Sequence, residues 1–344
     1  MKLGFFASFG IGGADAATER LARAVFALKP DWEIKVFYNQ FSIPKAVPGF
    51  HDSEYVPLSR FENYLPFCKP IEITSVAQLN NFKLDILQVF RSGEDHWLLP
   101  DFEVTKFNFK IVENNFHGVE KTKADIRVYP SYTLAGSRRP VIGNPVDPPT
   151  TNESLREELG INGKFVFGRI GREEHISLTP LEAYLKIRDS NTAFVYVAPN
   201  QNVRDFVAQH TLTDVLFLSP TIDNLRVSKL YNTFDVLCHG NQIGETFGNT
   251  IVEAMFHHVP VVSHLGNASD WPQAQVELLD PFSELVVPYG DTNKYADIMR
   301  MYMNDKFFYT HVKMWFLEKG PSISLSQLVA KEYIKLYESC MDRK

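Results

Sequence analysis

The sequence predicts an α/β protein of two domains, each containing a doubly wound parallel sheet. Short runs of β-branched and aromatic residues alternate with amphipathic helical patterns along almost the whole chain, which is typical of such sheets. At 344 residues the chain exceeds what one hydrophobic core usually supports, so two domains are expected. A proline-rich break at 138–149 excludes helix and separates the two halves.

The individual elements follow from the spacing of apolar residues. In the first half, strands are expected at 2–8, 32–38, 85–90, 109–113 and 126–129, with a helix at 14–28. In the second half, strands are expected at 165–170, 193–198, 215–218, 235–238, 259–263 and 284–287. Helices are expected there at 180–188, 203–209, 223–232, 247–258, 293–304 and 325–338. The stretch 41–70 is rich in proline and aromatic residues, and such a long loop is usually functional or mobile.

Composition narrows the classes of function. The net charge of −6 argues against a nucleic-acid-binding protein, which needs a basic face. The three cysteines, Cys68, Cys238 and Cys340, show no metal-ligand spacing, which suits a reducing cytosol and no structural zinc. No apolar run is long enough for a membrane span, and the N-terminal run is too short for a signal peptide. A cytoplasmic location is therefore expected.

The most informative segment is 245–255, with the sequence ETFGNTIVEAM. It places two carboxylates, Glu245 and Glu253, eight residues apart across a predicted loop-to-helix junction between two predicted strands. Backbone N–H groups at a helix N-terminus lack intrahelical partners, so this junction suits a phosphate or another charged leaving group. The alternative interpretation is an amphipathic helix that carries two solvated glutamates.

This segment resembles the E-x7-E signature of retaining nucleotide-sugar glycosyltransferases of the GT-B fold, especially glycosyltransferase family four. The Glu-Ala-Met that ends the segment and the strand containing Pro260 also match that pattern. The resemblance implies two Rossmann-like domains that face each other across a cleft. The acceptor-side domain would comprise 1–143 and a terminal helix at about 323–344 that crosses back, and the donor-binding domain would comprise 144–322. Pro145 replaces the usual glycine of the family's hinge segment.

The resemblance also implies roles for individual residues. Glu253 would accept hydrogen bonds from the donor ribose, and Glu245 would contact the transferred sugar. The donor-binding candidates in this half are Glu253, Thr246, Phe247, Gly248, Asn249 and Ser219. The nucleotide-sugar is a substrate, so no cofactor is implied, and no metal site is expected because no Asp-x-Asp pattern follows a strand.

The loop after the first predicted strand is rich in glycine. Gly12 and Gly13 precede a helix, which is the context that a phosphate-binding turn requires. A dinucleotide-binding domain is disfavoured because Asp15 occupies the place of the third glycine in that motif. The segment is similar to the Gly-Gly-Ala-Glu-Arg opening of family four, whose loop faces the donor diphosphate. A purely structural turn is the alternative.

A second strand end carries positive charge, at Arg169 and Arg172. In the family, Gly-Arg is followed five or six residues later by a lysine, and the two cations hold the donor diphosphate. Arg169 matches the first position, whereas Glu174 and His175 occupy the expected place of the lysine. Arg172 or a protonated His175 is left as the second cation, and pairing of both arginines with adjacent glutamates is the alternative.

Two histidines follow predicted strands of the first half. His117 resembles the family's histidine that contacts the reacting sugar, and His96 is a candidate for approaching the acceptor. A surface or packing role is the alternative for both.

The catalytic candidates are therefore Glu245, Arg169 and His117. The predicted function is retaining transfer of a sugar, by front-face displacement, from a nucleotide-sugar donor to a hydroxyl of a glycan, lipid-linked or small-molecule acceptor. Peripheral association with the cytoplasmic face of a membrane stays open, and no nucleic-acid partner is expected. The alternatives are a binding protein of this fold with weakened catalysis and a nucleotide-sugar epimerase.

Overall fold

The computed structural model describes residues 1–7, 12–39, 61, 65–94 and 101–342. His96 and most of the loop expected at 41–70 lie outside these residues. The chain divides into two compact units, one formed by Met1–Val146 with Ser324–Lys344 and the other by Asp147–Ile323. Each unit contains one six-stranded sheet, and the strand pairs of both sheets are parallel. The predicted α/β class is thus confirmed.

The strands of the described part are numbered in chain order. Those of the first unit are β1 (Lys2–Phe6), β2 (Glu33–Tyr38), β3 (Ile71–Glu72), β4 (Ile86–Arg91), β5 (Lys110–Asn115) and β6 (Ile126–Val128). Those of the second unit are β7 (Phe165–Arg169), β8 (Thr192–Val197), β9 (Val215–Leu218), β10 (Val236–Cys238), β11 (Val261–His264) and β12 (Val286–Val287).

The α-helices are numbered in the same way. The first seven are α1 (Gly13–Leu28), α2 (Tyr132–Ala135), α3 (Thr179–Leu185), α4 (Gln201–Gln209), α5 (Asn224–Thr233), α6 (Asn249–Phe256) and α7 (Ala274–Leu278). They are followed by α8 (Thr292–Asn304), α9 (Lys306–Ser324) and α10 (Ser326–Asp342). Among the helices of the described part, none combines the length and the apolar composition that crossing a bilayer requires.

The terminal helix α10 packs in the first unit, where it contacts α1. Two of its buried tyrosines reach polar side chains of the sheet: Asn114 donates a 2.9 Å hydrogen bond to the hydroxyl of Tyr333, and Tyr337 donates one of 2.9 Å to Gln88. All four side chains are at most 1% exposed. The helix is therefore held by specific polar contacts as well as by apolar burial.

The sheet of the second unit has the order β12-β11-β10-β7-β8-β9. Strands β8 and β9 lie on one side of β7, whereas the next strand in the chain, β10, lies on its other side. Ligands of open α/β sheets bind at such a switch of direction, beyond the carboxyl ends of the strands. Arg169 ends β7, and Glu245 follows β10, so two predicted site residues lie at this position.

Helix α9 is the longest element that the sequence pattern does not predict. Gly320 and Pro321, which usually interrupt helices, lie within it. A Cβ atom at Gly320 would lie 2.9 Å from the Cβ of Met255, so the glycine permits close packing of α9 on α6.

Candidate functional site

The candidate site is the surface formed by the loops that follow β7 and β10. Ile176 and Asn241 form an antiparallel bridge between these loops. The N–H of Gln242 donates to the carbonyl of His175 at 2.8 Å, which continues the connection. Strands β7 and β10 pair directly, so the sheet and its loops hold both sides of the site together.

Glu245 is anchored through only one of its carboxylate oxygens. Its Oε1 accepts hydrogen bonds from Nε2 of His239 at 3.0 Å and from Nδ2 of Asn241 at 2.8 Å. Its Oε2 has no hydrogen-bond partner among the described residues, and the side chain keeps 20% exposure. Burial alone would raise the pKa of Glu245, but the hydrogen bonds and charge of His239, with Asn241, hold it below its usual value. The site thus presents an ionised carboxylate with one open oxygen.

The loop between Glu245 and α6 bends sharply at Gly248, whose φ is +92°. Glycine suits this left-handed position, and a Cβ there would also lie 2.9 Å from Leu278. Phe247 is buried beside it, whereas Thr246 and Asn249 are partly exposed. Helix α6 begins at Asn249, two residues later than expected, because Gly248 turns the chain.

Glu253 lies on α6 and is partly exposed. Its Oε2 accepts a 2.9 Å hydrogen bond from the hydroxyl of Tyr231 on α5. Tyr231 is fully buried and stacks on His257 with the ring centroids 5.0 Å apart. The sequence gives no signal for Tyr231, because its position reads as part of the apolar face of a helix.

Arg169 is a buried cation with 3% exposure. Its guanidinium carbon lies 5.5 Å from the ring centroid of Tyr196, and its Nη2 donates to the carbonyl of Arg172 at 3.2 Å. Its Nη1 is buried and has no hydrogen-bond partner in the described part of the chain. A Cβ at Gly171 would lie 3.1 Å from this guanidinium, so the loop passes directly over it.

Arg172 and His175 differ in charge and exposure. Arg172 is exposed, and neither it nor Arg169 pairs with Glu173 or Glu174 in the described structure. Burial lowers the pKa of His175, with the charge of Arg172 acting in the same direction and that of Glu174 opposing it. His175 is therefore mainly neutral at pH 7, which leaves Arg172 as the more suitable exposed cation of this loop.

The remaining predicted site residues lie at three other places. Ser219 is exposed directly after β9, at the carboxyl edge of the second sheet. In the first unit, Gly12 is the N-cap of α1, Gly13 begins that helix, and His117 is exposed after β5. The N–H of His117 donates to Oδ1 of Asn115 at 3.3 Å. In the part of the chain that the structure describes, no cluster of His, Cys, Asp or Glu residues is arranged to hold a metal ion.

Comparisons with solved structures extend over nearly the whole chain. HepE from Anabaena, solved in complex with UDP and glucose, is 16% identical with a TM-score of 0.72, covering 98% of this chain and 100% of its own. Sucrose-phosphate synthase from Thermosynechococcus elongatus is 14% identical with a TM-score of 0.72 and full coverage of both chains. The fold is GT-B. A glycosyltransferase from Rickettsia africae gives a TM-score of 0.73 at 12% identity, covering 100% of this chain and 99% of its own.

Sequence comparison points to the second unit. The family profile described as "Glycosyl transferases group 1" matches residues 165–305, which include Arg169, Glu245 and Glu253. No curated protein has significant sequence similarity to the chain. The profile match together with the GT-B fold supports a glycosyltransferase. HepE has also been solved with UDP-glucose, again at 16% identity.

Proposed function

We propose that this GT-B protein is a retaining, metal-independent glycosyltransferase. It transfers a hexose from a nucleotide-sugar donor to a hydroxyl of a glycan, lipid-linked or small-molecule acceptor. The observation that carries this proposal is the anchored, ionised Glu245, whose Oε2 is open at the switch point of the second sheet. Arg169 ends the neighbouring strand β7 and Arg172 lies on the loop after it, so anionic and cationic groups are available for the two ends of a sugar diphosphate.

Each part of the donor has a matching group. The hydroxyls of the transferred sugar donate to Glu245, and those of the ribose donate to Glu253. Phe247 and Gly248 lie at the start of α6, whose backbone dipole favours the diphosphate. Arg172 contacts phosphate oxygens, and Arg169 supplies positive charge beneath them. The exposed Ser219 stands at the nucleoside end of this surface.

The first unit supplies the acceptor side in this proposal. His117 is the proposed contact to the reacting sugar, and Gly12 and Gly13 at the N-terminus of α1 are proposed contacts to the diphosphate. Front-face displacement needs no protein nucleophile: the acceptor hydroxyl attacks the anomeric carbon on the side from which the nucleoside diphosphate leaves. Catalysis then depends on placing the substrates and on stabilising the leaving group, each contributing several kcal/mol in a preorganised site.

A second candidate function is nucleotide-sugar binding with weak or no turnover. Two features of the loop after β7 favour this second function. The loop covers the guanidinium of Arg169, and Glu174 and the mainly neutral His175 occupy the place of the lysine in the family pattern. In that case the donor binds but the leaving group lacks one of its charge partners.

We further propose a cytoplasmic protein, consistent with three buried free cysteines, that reaches lipid-linked acceptors at the cytoplasmic membrane face.

One assay separates the two candidates. The purified protein is incubated with UDP-, ADP- and GDP-hexoses without acceptor, and release of free sugar is followed by NMR, which also reports the anomeric configuration first formed. A transferase releases sugar slowly with retained configuration. Binding without release supports the weakened protein, and release with inverted configuration contradicts the retaining mechanism.

A further inference from the structure

His239 is hydrogen-bonded at both ring nitrogens while it is only 4% exposed. Its Nδ1 lies 2.8 Å from Oγ of Ser263, and its Nε2 lies 3.0 Å from Oε1 of Glu245. Ser263 lies on β11 and is fully buried. A continuous chain of polar contacts therefore runs from the interior of the sheet to the carboxylate at the surface of the site.

The chemistry of the partners determines which nitrogen carries a proton. An ionised carboxylate only accepts hydrogen bonds, and the pKa of Glu245 is held below its usual value. Nε2 of His239 must therefore be protonated to make its contact. In the neutral ring Nδ1 then accepts from the hydroxyl of Ser263, and in the charged ring Nδ1 donates to it. The Nε2–H group faces Glu245 in both states.

The backbone of His239 is also held on both sides. Its N–H donates to the carbonyl of Val262 at 2.8 Å, which continues the pairing of β10 with β11. Its own carbonyl accepts a 3.1 Å hydrogen bond from Tyr295. The next residue, Gly240, abuts Pro180, since a Cβ there would lie 2.7 Å from that ring. The imidazole is thereby fixed relative to Glu245.

We propose that His239 is a positioning residue for Glu245, with its Nε2–H directed at the carboxylate and its Nδ1 held by the hydroxyl of Ser263. Together they fix the rotation of the carboxylate, so that Oε2 is an anionic acceptor for a hydroxyl of the nucleotide-bound sugar. This inference rests on the proposed function and adds to it the residues that orient the sugar-binding carboxylate. Other titratable groups near this cluster include Arg169, His175, His264 and Tyr295.

A positioning role and a merely structural role of His239 predict different changes in ligand affinity. Without the donor at Nε2, Oε1 keeps only Asn241, and the carboxylate is free to turn about its last side-chain bond. Binding of the sugar then weakens, whereas binding of the nucleoside diphosphate does not depend on this carboxylate. A change in packing would weaken both ligands or neither.

The test compares His239→Gln with His239→Asn. A glutamine amide places its N–H close to the position of Nε2, whereas an asparagine amide reaches only the position of Nδ1. Calorimetry measures the Kd of the nucleotide sugar and of its nucleoside diphosphate, using whichever of UDP-, ADP- and GDP-glucose binds the wild type. His210→Gln, at an exposed histidine of the same unit, is the control.

His239→Asn is expected to weaken nucleotide-sugar binding by a factor of about 10 or more, the typical effect of losing a hydrogen bond to a charged group. The diphosphate should bind within about twofold of wild type, and His239→Gln should recover most of the lost affinity. Equal losses for both ligands, or no loss in His239→Asn, would overturn the proposal.

If the His239 variants fail to fold, a measurement on the ligand-free wild-type protein still tests the proposal. ¹⁵N NMR of the wild-type protein should show a proton on Nε2 of His239, and Ser263→Ala should shift its Nδ1 resonance. A ring protonated only at Nδ1 contradicts the inference. If the wild type binds none of the three nucleotide sugars, the proposed function fails, and the NMR result still decides on the arrangement of His239.

Discussion

The hydroxyl of Tyr231 donates a 2.9 Å hydrogen bond to Oε2 of Glu253, across the interface between α5 and α6. Tyr231 is fully buried, so this contact holds the second carboxylate of the segment in one orientation. Glu245 is held in a comparable way by His239. Both carboxylates of the E-x7-E pattern are therefore oriented by buried residues that the pattern itself does not contain.

Glu253→Ala should raise the KM for the nucleotide-sugar donor sharply while leaving the protein folded, because it removes the proposed acceptor for the ribose hydroxyls. Tyr231→Phe should raise the same KM several-fold, since the carboxylate loses one orienting donor, a contact to a charged group worth about 1.5–3 kcal/mol. Steady-state kinetics and calorimetry measure both. Unchanged donor affinity in Glu253→Ala would reject the ribose role.

Replacement of the two arginines should separate turnover from binding. Arg169→Ala should lower kcat by a factor of roughly 10² or more, because the developing charge on the leaving diphosphate would lose its proposed buried partner. Arg172→Ala should mainly raise the Kd for the nucleoside diphosphate, because its guanidinium is exposed. Arg226→Ala, at an exposed ion pair with Glu158, is the matched control. A mild effect of Arg169→Ala on turnover would count against its role.

Glu113 should be essential for the stability of the first unit. Its fully buried carboxylate accepts hydrogen bonds from Arg91 and Thr122, both at 2.6 Å, and from Asn115 at 3.0 Å. Glu113→Ala leaves the buried Arg91 without this partner. It should lower the free energy of unfolding, measured by urea denaturation, by about 3–5 kcal/mol. Glu94→Ala removes an exposed ion pair and should change little. Similar costs for the two variants would show that the buried pair contributes no more than a surface one.

The polar contacts of α10 should be measurable one at a time. Tyr333→Phe leaves the amide N–H of Asn114 without its hydrogen-bond acceptor, and Tyr337→Phe leaves the side-chain carbonyl of Gln88 without its hydrogen-bond donor. Each should lower the free energy of unfolding by about 1–3 kcal/mol, the cost of an unsatisfied buried group. Lys331→Ala, exposed on the same helix, is the control. Losses no larger than those of the control would show that apolar burial alone holds the helix.

His264 should make stability depend on pH. Burial, with the charges of His239 and Arg169, lowers the pKa of His264 to about 4. The unfolded chain takes up this proton near pH 6.5, so the contribution is complete above that pH and is lost as the pH falls towards 4. Between these two pH values the free energy of unfolding should fall by about 1.4 kcal/mol for each pH unit of acidification, the contribution of one group.

Urea denaturation between pH 7 and pH 4.5 measures this slope. His264→Gln should reduce this slope by about 1.4 kcal/mol per pH unit, the contribution of one proton. His210→Gln, at an exposed histidine, should leave the slope nearly unchanged. Identical slopes for wild type and His264→Gln would contradict the buried, neutral state of His264.

The sequence predicts the sheets well because their strands are continuous apolar runs that both faces of a parallel sheet bury. It does not predict α9, since Gly320 and Pro321 read as a helix end, whereas both lie inside the helix and Gly320 closely approaches Met255 there. The spacing of Glu245 and Glu253 makes them candidates from the sequence alone. The sequence gives no signal for His239 and Tyr231, because their contacts to Ser263 and Glu253, 24 and 22 residues away, leave no local pattern.

The proposed function requires that the second unit binds a nucleoside diphosphate sugar where α6 begins. A crystal structure of the protein with the nucleotide sugar that binds it tests this most directly. We predict the diphosphate beside Gly248 and the Arg172 loop, the ribose at Glu253 and the sugar at Oε2 of Glu245. Ligand density elsewhere, with these residues uncontacted, would contradict the account.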